Sequence, residues 1–174
     1  PLAERRVLDY LDCHAEVVNR CQSFFNLTVK RAAAWRVPVG NYSGYFFGMA
    51  YPAEGWQTRT PEMFRSDAVD FQAAPYSYGF RGSGACGLPR NILESYALNG
   101  KFSILESDAR THLSGDPNDG HSSSLAESVG QLTRDFCNAV TRGSGLWYYD
   151  FNGGWYDRPE YLSLFSRLMK IVQS

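Results

Sequence analysis

Residues 99–108 run Asn99-Gly100-Lys101-Phe102-Ser103-Ile104-Leu105-Glu106-Ser107-Asp108. The Asn99-Gly100 pair is typical of a helix end, and Pro89 is typical of the start of the same helix. The mainly apolar stretch Phe102-Ser103-Ile104-Leu105 then predicts a short strand that ends in carboxylates. A helix followed directly by an apolar strand indicates a parallel sheet covered by helices, because the strands of such a sheet are buried on both faces.

The same order of helix and strand recurs on both sides of this stretch. Three further segments predict strands, at residues 37–43, 68–74 and 146–149. Apolar residues at three- and four-residue steps predict helices at about 2–34, 125–140 and 159–172, the second opened by the capping box Ser124-Leu125-Ala126-Glu127. The sequence therefore predicts one α/β domain over residues 1–174, in which a long helix (about 2–34) precedes four strand-loop-helix units.

The strand-to-helix loops are long in this arrangement, and the helix-to-strand loops are short. Ligands of parallel α/β sheets bind beyond the carboxyl ends of the strands, where the strand-to-helix loops lie. We therefore expect the functional site near four strand ends, at Asn41, Tyr76, Glu106 and Asp150.

Charge and composition exclude some classes of partner. The 174 residues include 17 Lys and Arg and 18 Asp and Glu, scattered without runs, for a formal net charge of -1. Such a chain has no basic stripe for nucleic acid and no polybasic anchor for a membrane, and no apolar run reaches the roughly 18 residues of a membrane span. We expect neither partner. Tyr, Phe and Trp make up 15% of the chain, and aromatic rings both fill cores and stack on sugars.

Cysteine and histidine spacing predicts no metal and no cofactor. The four cysteines fit no metal-binding motif, and Cys13 and Cys21 lie about 12 Å apart along one helix, too far for a disulfide. A reducing compartment is favoured, and we expect the protein in the cytoplasm. His112 and His121 bracket an Asp- and Asn-containing loop at 116–120, but its oxygen spacing does not match a Ca²⁺ loop.

Two architectures fit four strand units. A closed (β/α)8 barrel takes eight strands and about 250 residues, so the chain predicts either a small open sheet or half of a barrel. Nucleotide-binding open sheets carry a Gly-rich phosphate turn after a strand, and no strand of this sequence is followed by one.

A resemblance to a known family favours the half-barrel. The run from Asn99 to Leu113 resembles the seventh strand of the catalytic barrel in clan A glycoside hydrolases, especially β-galactosidase-like proteins related to family 42, where such a strand ends in the nucleophilic Glu. Other segments resemble the fifth, sixth and eighth strands of that barrel, in order: 41–45, 69–82 and 145–157. The resemblance covers nearly the whole chain and implies a (βα)4 half of a TIM-type barrel with outer helices.

The resemblance also implies roles for individual residues. Glu106 corresponds to the nucleophile, and Asp108 is a second catalytic candidate. Tyr76 or Tyr78 would position Glu106 by a hydroxyl hydrogen bond. The remaining candidates would contact the substrate, the indoles by stacking on the sugar and the polar groups through its hydroxyls: Trp147, Trp155, Asn41, Arg81, Arg110 and Asp150. Each has a structural alternative, such as a Glu106–Arg110 ion pair, a salt bridge of Asp150, or indoles packed in the core.

One expected catalytic group is missing from this set. A retaining glycosidase uses two carboxyl groups about 5 to 5.5 Å apart, and the family carries its acid/base Glu on the fourth barrel strand, outside these residues. Three solutions remain open. Two copies can associate to close the barrel, a complementary N-terminal half can supply the residue, or an internal carboxylate can serve: Asp108, Asp150 or Asp157.

The expected function is retaining hydrolysis of β-galactosides or related β-glycosides. The alternative is a half-barrel that binds carbohydrate without catalysis, or only folds, because it lacks the acid/base residue. An unrelated small open-sheet enzyme is a third possibility, and it would need a phosphate site that the sequence does not show.

Overall fold

The computed structural model describes residues 2–43, 45–47, 59–115, 122–151 and 153–174. Helices and strands alternate along the chain. In order, the elements are α1 (Leu2–Ala32), β1 (Gly40–Tyr42), α2 (Thr60–Arg65), β2 (Phe71–Pro75), a 3-10 helix (Tyr78–Phe80), α3 (Leu93–Leu98), β3 (Phe102–Ser107), α4 (Leu125–Val140), β4 (Gly145–Tyr148) and α5 (Pro159–Gln173).

The four strands form a parallel sheet in the order β1-β2-β3-β4. On one side, Gly40 of β1 lies opposite Phe71 of β2. On the other, Glu106 of β3 lies opposite Trp147 of β4. The predicted α/β class with a parallel sheet and intervening helices is therefore confirmed.

Several boundaries differ from the prediction for local reasons. The first helix ends at Ala32 because Ala34 and Trp35 adopt positive φ angles of 50° and 60°, and the Trp35 N–H donates back to the Lys30 carbonyl at 2.8 Å. The third helix begins at Leu93 instead of near Pro89, since Pro89 forms an isolated antiparallel bridge with Tyr76.

Residue contacts group the chain into two compact units, and the single domain over residues 1–174 stays a prediction. The first contains Pro1–Ala74 and Arg90–Ser103. Its buried cluster comprises Met63, Val69 and Tyr96, and Arg59 links α2 to α1 through an ion pair with Asp12 at 2.7 Å.

The second unit contains Pro75–Pro89 and Ile104–Ser174. Its core lies between α4 and α5, where Leu132 and Phe136 pack against Tyr161, Leu164 and Leu168. Ser124 caps α4 as predicted, since its hydroxyl accepts the Glu127 N–H at 3.2 Å, while the Glu127 carboxylate accepts the Ser123 N–H at 2.7 Å. Within the described ranges, no helix combines the length and the apolar character needed to cross a membrane.

Candidate active site

Alternation along β3 determines which face of the sheet carries Glu106. Leu105 and Ser107 are buried, and the Ser107 hydroxyl donates a 2.7 Å hydrogen bond to Asp135 on α4. Glu106 is only half-buried. Because successive side chains of a strand point to opposite faces, Glu106 lies on the face of the sheet away from α4.

Trp147 lies on this same face. Its neighbours on β4, Leu146 and Tyr148, pack against the core between α4 and α5, and the Tyr148 hydroxyl donates to the Leu132 carbonyl at 2.8 Å. Trp147 therefore points the other way, beside its register partner Glu106. The Trp147 indole nitrogen donates a hydrogen bond to Glu106 Oε2 at 2.9 Å. A hydrogen bond to a carboxylate is stronger than a neutral one and fixes its orientation.

The backbone around Glu106 is held from both sides. The Tyr76 N–H donates to the Glu106 carbonyl at 3.2 Å, and the Tyr149 N–H donates to the Ser107 carbonyl at 2.9 Å. The carboxylate thus projects from the carboxyl end of a strand that is bonded on each edge. Such a position is rigid, which favours a catalytic or binding group.

The Tyr76 side chain is directed to the helix layer. It is 1% exposed, and its hydroxyl donates to the Asp135 carbonyl on α4 at 2.7 Å. Burial raises the pKa of this hydroxyl far above its usual value. The structure therefore gives the Tyr76 hydroxyl a role in packing α4, in place of the predicted hydrogen bond to Glu106 on the opposite face.

Arg81 joins the loops that follow β2 and β3. It is also 1% exposed, and it pairs with the Asp108 carboxylate at 2.6 Å. It donates as well to the carbonyls of Tyr76, at 2.9 Å, and Asp108, at 3.1 Å. Tyr78 remains partly exposed, with the Arg81 guanidinium 4.2 Å from its ring centre. These contacts support structural roles for Arg81 and Asp108, and sugar contact or catalysis by them stays a prediction.

Asp150 and Trp155 lie in the loop after β4, and Arg110 reaches Trp155 from the loop after β3. The Asp150 carboxylate accepts the Trp155 N–H at 3.2 Å, and the Arg110 guanidinium lies 5.7 Å from the centre of the Trp155 ring. Trp155 is 3% exposed, which favours the core alternative over sugar stacking for this indole. Asn41 lies on β1 in the first compact unit, with its amide nitrogen buried.

Nothing among protein-family models, curated proteins or solved structures matches this chain.

Sequence reasoning missed a buried ionic group that supports the site. Asp135 is buried on α4, and its carboxylate accepts hydrogen bonds from Ser107 at 2.7 Å and from Arg134 at 2.9 Å. Burial raises the pKa of Asp135, although the Arg134 charge and the Ser107 hydrogen bond oppose this. Arg134 also donates to the carbonyls of Gly82 and Ala85. Asp135 lies between Leu132 and Phe136 on the apolar face of α4, and this position in the sequence indicates a buried carboxylate.

The arrangement offers one half-buried carboxylate whose orientation is fixed by an indole. That group can act as a nucleophile or bind a hydroxyl-rich ligand. No set of three or more His, Cys, Asp or Glu in the described part of the chain is placed to hold a metal ion. The loop at 116–120 and His121 lie outside the described residues.

Proposed function

We propose that this chain is a retaining glycoside hydrolase acting on β-galactosides or related β-glycosides, with Glu106 as its nucleophile. One observation carries the proposal. Glu106 stands at the carboxyl end of a parallel strand, on the face away from α4, with one oxygen held by the Trp147 indole at 2.9 Å. This is the position expected of a functional group in a parallel α/β sheet.

The reaction follows from a carboxylate in this position. One oxygen of Glu106 attacks the anomeric carbon as the bond to the leaving oxygen breaks, and the leaving oxygen takes a proton from an acid. A glycosyl ester on Glu106 results. Water then attacks its anomeric carbon and gives a proton to the same acid group, now acting as a base. The ester bond to Glu106 breaks, and the sugar is released with retained configuration. The Trp147 N–H keeps the carboxylate oriented toward the sugar throughout.

The acid/base group comes from outside the Glu106 neighbourhood in this proposal. Asp108 forms an ion pair with buried Arg81, which disfavours it as the acid.

We propose that the sheet is half of a (β/α)8 barrel, completed by a second copy or by a complementary half that supplies the acid. β4 is an edge strand, and an apolar cleft of about 370 Å³ lies beside it, lined by residues that include Leu146, Phe165, Met169 and Val172. Sedimentation distinguishes a dimer from a monomer.

A second candidate function is carbohydrate binding without catalysis. The Arg81–Asp108 ion pair favours this candidate. Asp108 is the carboxylate nearest to Glu106 in sequence, and its pairing with Arg81 disfavours it as the catalytic acid. Binding without turnover would then be measured with the same sugars.

The experiment uses 4-nitrophenyl β-galactoside and β-glucoside, whose leaving groups need little acid assistance. Wild-type protein should release nitrophenol, and Glu106→Ala should abolish the release. Glu160→Ala, an exposed carboxylate at the start of α5, is the matched control and should retain activity.

Azide provides a second arm of this test. It should restore nitrophenol release to Glu106→Ala by attacking the anomeric carbon in place of the carboxylate, which gives a glycosyl azide of inverted configuration. Unchanged turnover in Glu106→Ala would exclude the nucleophile role.

A further inference from the structure

Aromatic residues continue along the chain beyond the carboxyl end of β4, which closes at Tyr148. Every second residue from 147 to 151 is aromatic: Trp147, Tyr149 and Phe151. The Tyr149 N–H donates to the Ser107 carbonyl at 2.9 Å, so the bonding between β3 and β4 continues to Tyr149. Strand alternation then places Tyr149 on the face of Trp147, one step nearer the carboxyl edge of the sheet.

Tyr149 and Phe151 are in contact and open to solvent. Their ring centroids lie 5.8 Å apart, with the planes inclined at 67°. Tyr149 is 41% exposed and Phe151 66%. Some other rings of the same unit are packed together: Tyr148 lies against Phe165 at 4.5 Å between centroids, and Tyr156 against Tyr161 at 6.0 Å. An apolar patch left in water beside a functional group is typical of a binding surface.

The chemistry of this patch fits a sugar chain. One face of a pyranose presents C–H groups to an aromatic ring, while its equatorial hydroxyls stay hydrated. The ring centroids of Tyr149 and Phe151 are 5.8 Å apart, a spacing comparable with the length of one sugar unit. Tyr149 lies two residues beyond Trp147, which donates a hydrogen bond to the proposed nucleophile, so we expect a substrate bound at Glu106 to reach this pair of rings.

We propose that Tyr149 and Phe151 form an aromatic subsite that stacks on a sugar adjacent to the one bound at Glu106. The substrate is then a β-linked oligosaccharide, of which the reacting sugar is one unit. This inference rests on the proposed glycosidase function and names its substrate class.

The test compares long and short substrates. The long ones are β-1,4-galactotetraose and cellotetraose, and the short ones are β-galactosyl and β-glucosyl fluoride, whose leaving group is too small to reach the rings. The ratio of kcat/KM for the tetraose to kcat/KM for the fluoride should fall about tenfold in Phe151→Ala and in Tyr149→Ala, as expected for lost apolar contact. Phe151→Trp keeps a ring and should keep the ratio.

Phe102→Ala is the matched control. Phe102 is an exposed phenyl at the opposite end of β3, where the functional loops do not lie. Its substitution should leave the ratio at the wild-type value. A ratio that falls equally in Phe102→Ala and Phe151→Ala would overturn the subsite.

A binding measurement distinguishes failure of the aromatic subsite from failure of the proposed reaction. Glu106→Gln should bind a tetraose without cleaving it, and adding Phe151→Ala should weaken that binding about tenfold in calorimetry. If no glycoside is hydrolysed but this weakening is seen, the reaction fails and the subsite stands. If the wild type hydrolyses glycosides and the ring substitutions change neither ratio nor affinity, the subsite is overturned and the reaction stands. Tetraoses that neither bind nor react also overturn it.

Discussion

Trp147 and Glu106 face each other across the β3–β4 pair, and the indole nitrogen lies 2.9 Å from Glu106 Oε2. Strand alternation and strand register together produce this contact. Both residues lie on the alternate positions of their strands that face away from α4 and α5, and the parallel register places them opposite each other. The contact links the Trp147 indole with the carboxylate that we propose as the nucleophile.

Removal of the indole donor should lower activity without unfolding the protein. In Trp147→Phe, kcat/KM for 4-nitrophenyl β-galactoside or β-glucoside should fall about ten- to a hundredfold, since a hydrogen bond to a charged group contributes about 1.5 to 3 kcal/mol. Trp35→Phe, an exposed indole after α1, is the control and should keep wild-type kinetics. Equal kinetics in both variants would remove Trp147 from the site.

The buried Asp135 should make a large contribution to stability. Asp135→Ala leaves Arg134 without its carboxylate partner and Ser107 without its acceptor. Breaking a buried ion pair costs about 3 to 5 kcal/mol of unfolding free energy, which urea denaturation measures. Asp157→Ala, at an exposed position, should change it by less than about 0.5 kcal/mol. A small change in Asp135→Ala would contradict the anchoring role.

A glycine pair tests how Arg134 packs against the loop after β2. Gly84 and Gly87 both have positive φ, of 78° and 61°. A Cβ on Gly87 would lie 2.5 Å from Arg134 Nε, whereas nothing lies within 4 Å of one on Gly84. Gly84→Ala should cost about 1 kcal/mol for the backbone alone, and Gly87→Ala should cost clearly more. Equal losses in thermal or urea unfolding would show that the contact is unimportant.

Acid should weaken the first compact unit through Asp70. Burial raises the pKa of this carboxyl, but the Lys30 ammonium, the Val39 N–H and the charge of Lys101 outweigh it, so the net pKa is lowered. A lowered folded-state pKa gives stability that is present above the unfolded pKa of about 3.9 and is lost as the pH falls through the folded value.

The measurement is urea denaturation of wild type and Asp70→Asn between neutral pH and the acid range. The variant should lack this part of the pH dependence, because its amide does not titrate. Parallel curves for the two proteins would contradict the contribution of the Lys30–Asp70 pair.

The sequence predicted those parts of the structure that depend on local pattern. The strand at Phe102 to Leu105, the capping box at Ser124 and the carboxylate at a strand end all follow from neighbours in the chain. The predicted start of a helix at Pro89 is wrong because Pro89 pairs with Tyr76, a contact made across a loop.

Burial of polar and aromatic candidates could not be predicted in the same way. Arg81 in its Gly-rich loop has the composition of a substrate ligand, yet it is buried by Asp108, 27 residues away in sequence. Trp155 is likewise covered near Arg110. Such pairings depend on how separate loops meet at one end of the sheet, and the pattern of neighbouring residues in the sequence does not show which of several partners is chosen.

The most direct test of the central proposal is to trap the covalent intermediate. A 2-deoxy-2-fluoro-β-galactosyl or -glucosyl fluoride should react with Glu106 to form a glycosyl ester. This ester hydrolyses slowly, because the 2-fluorine destabilises the oxocarbenium-like transition state. Peptide mass spectrometry should find one fluorosugar on the peptide that contains Glu106, and none in Glu106→Gln. A fluorosugar on a different residue, or continued turnover of nitrophenyl glycosides with no adduct, would contradict the account.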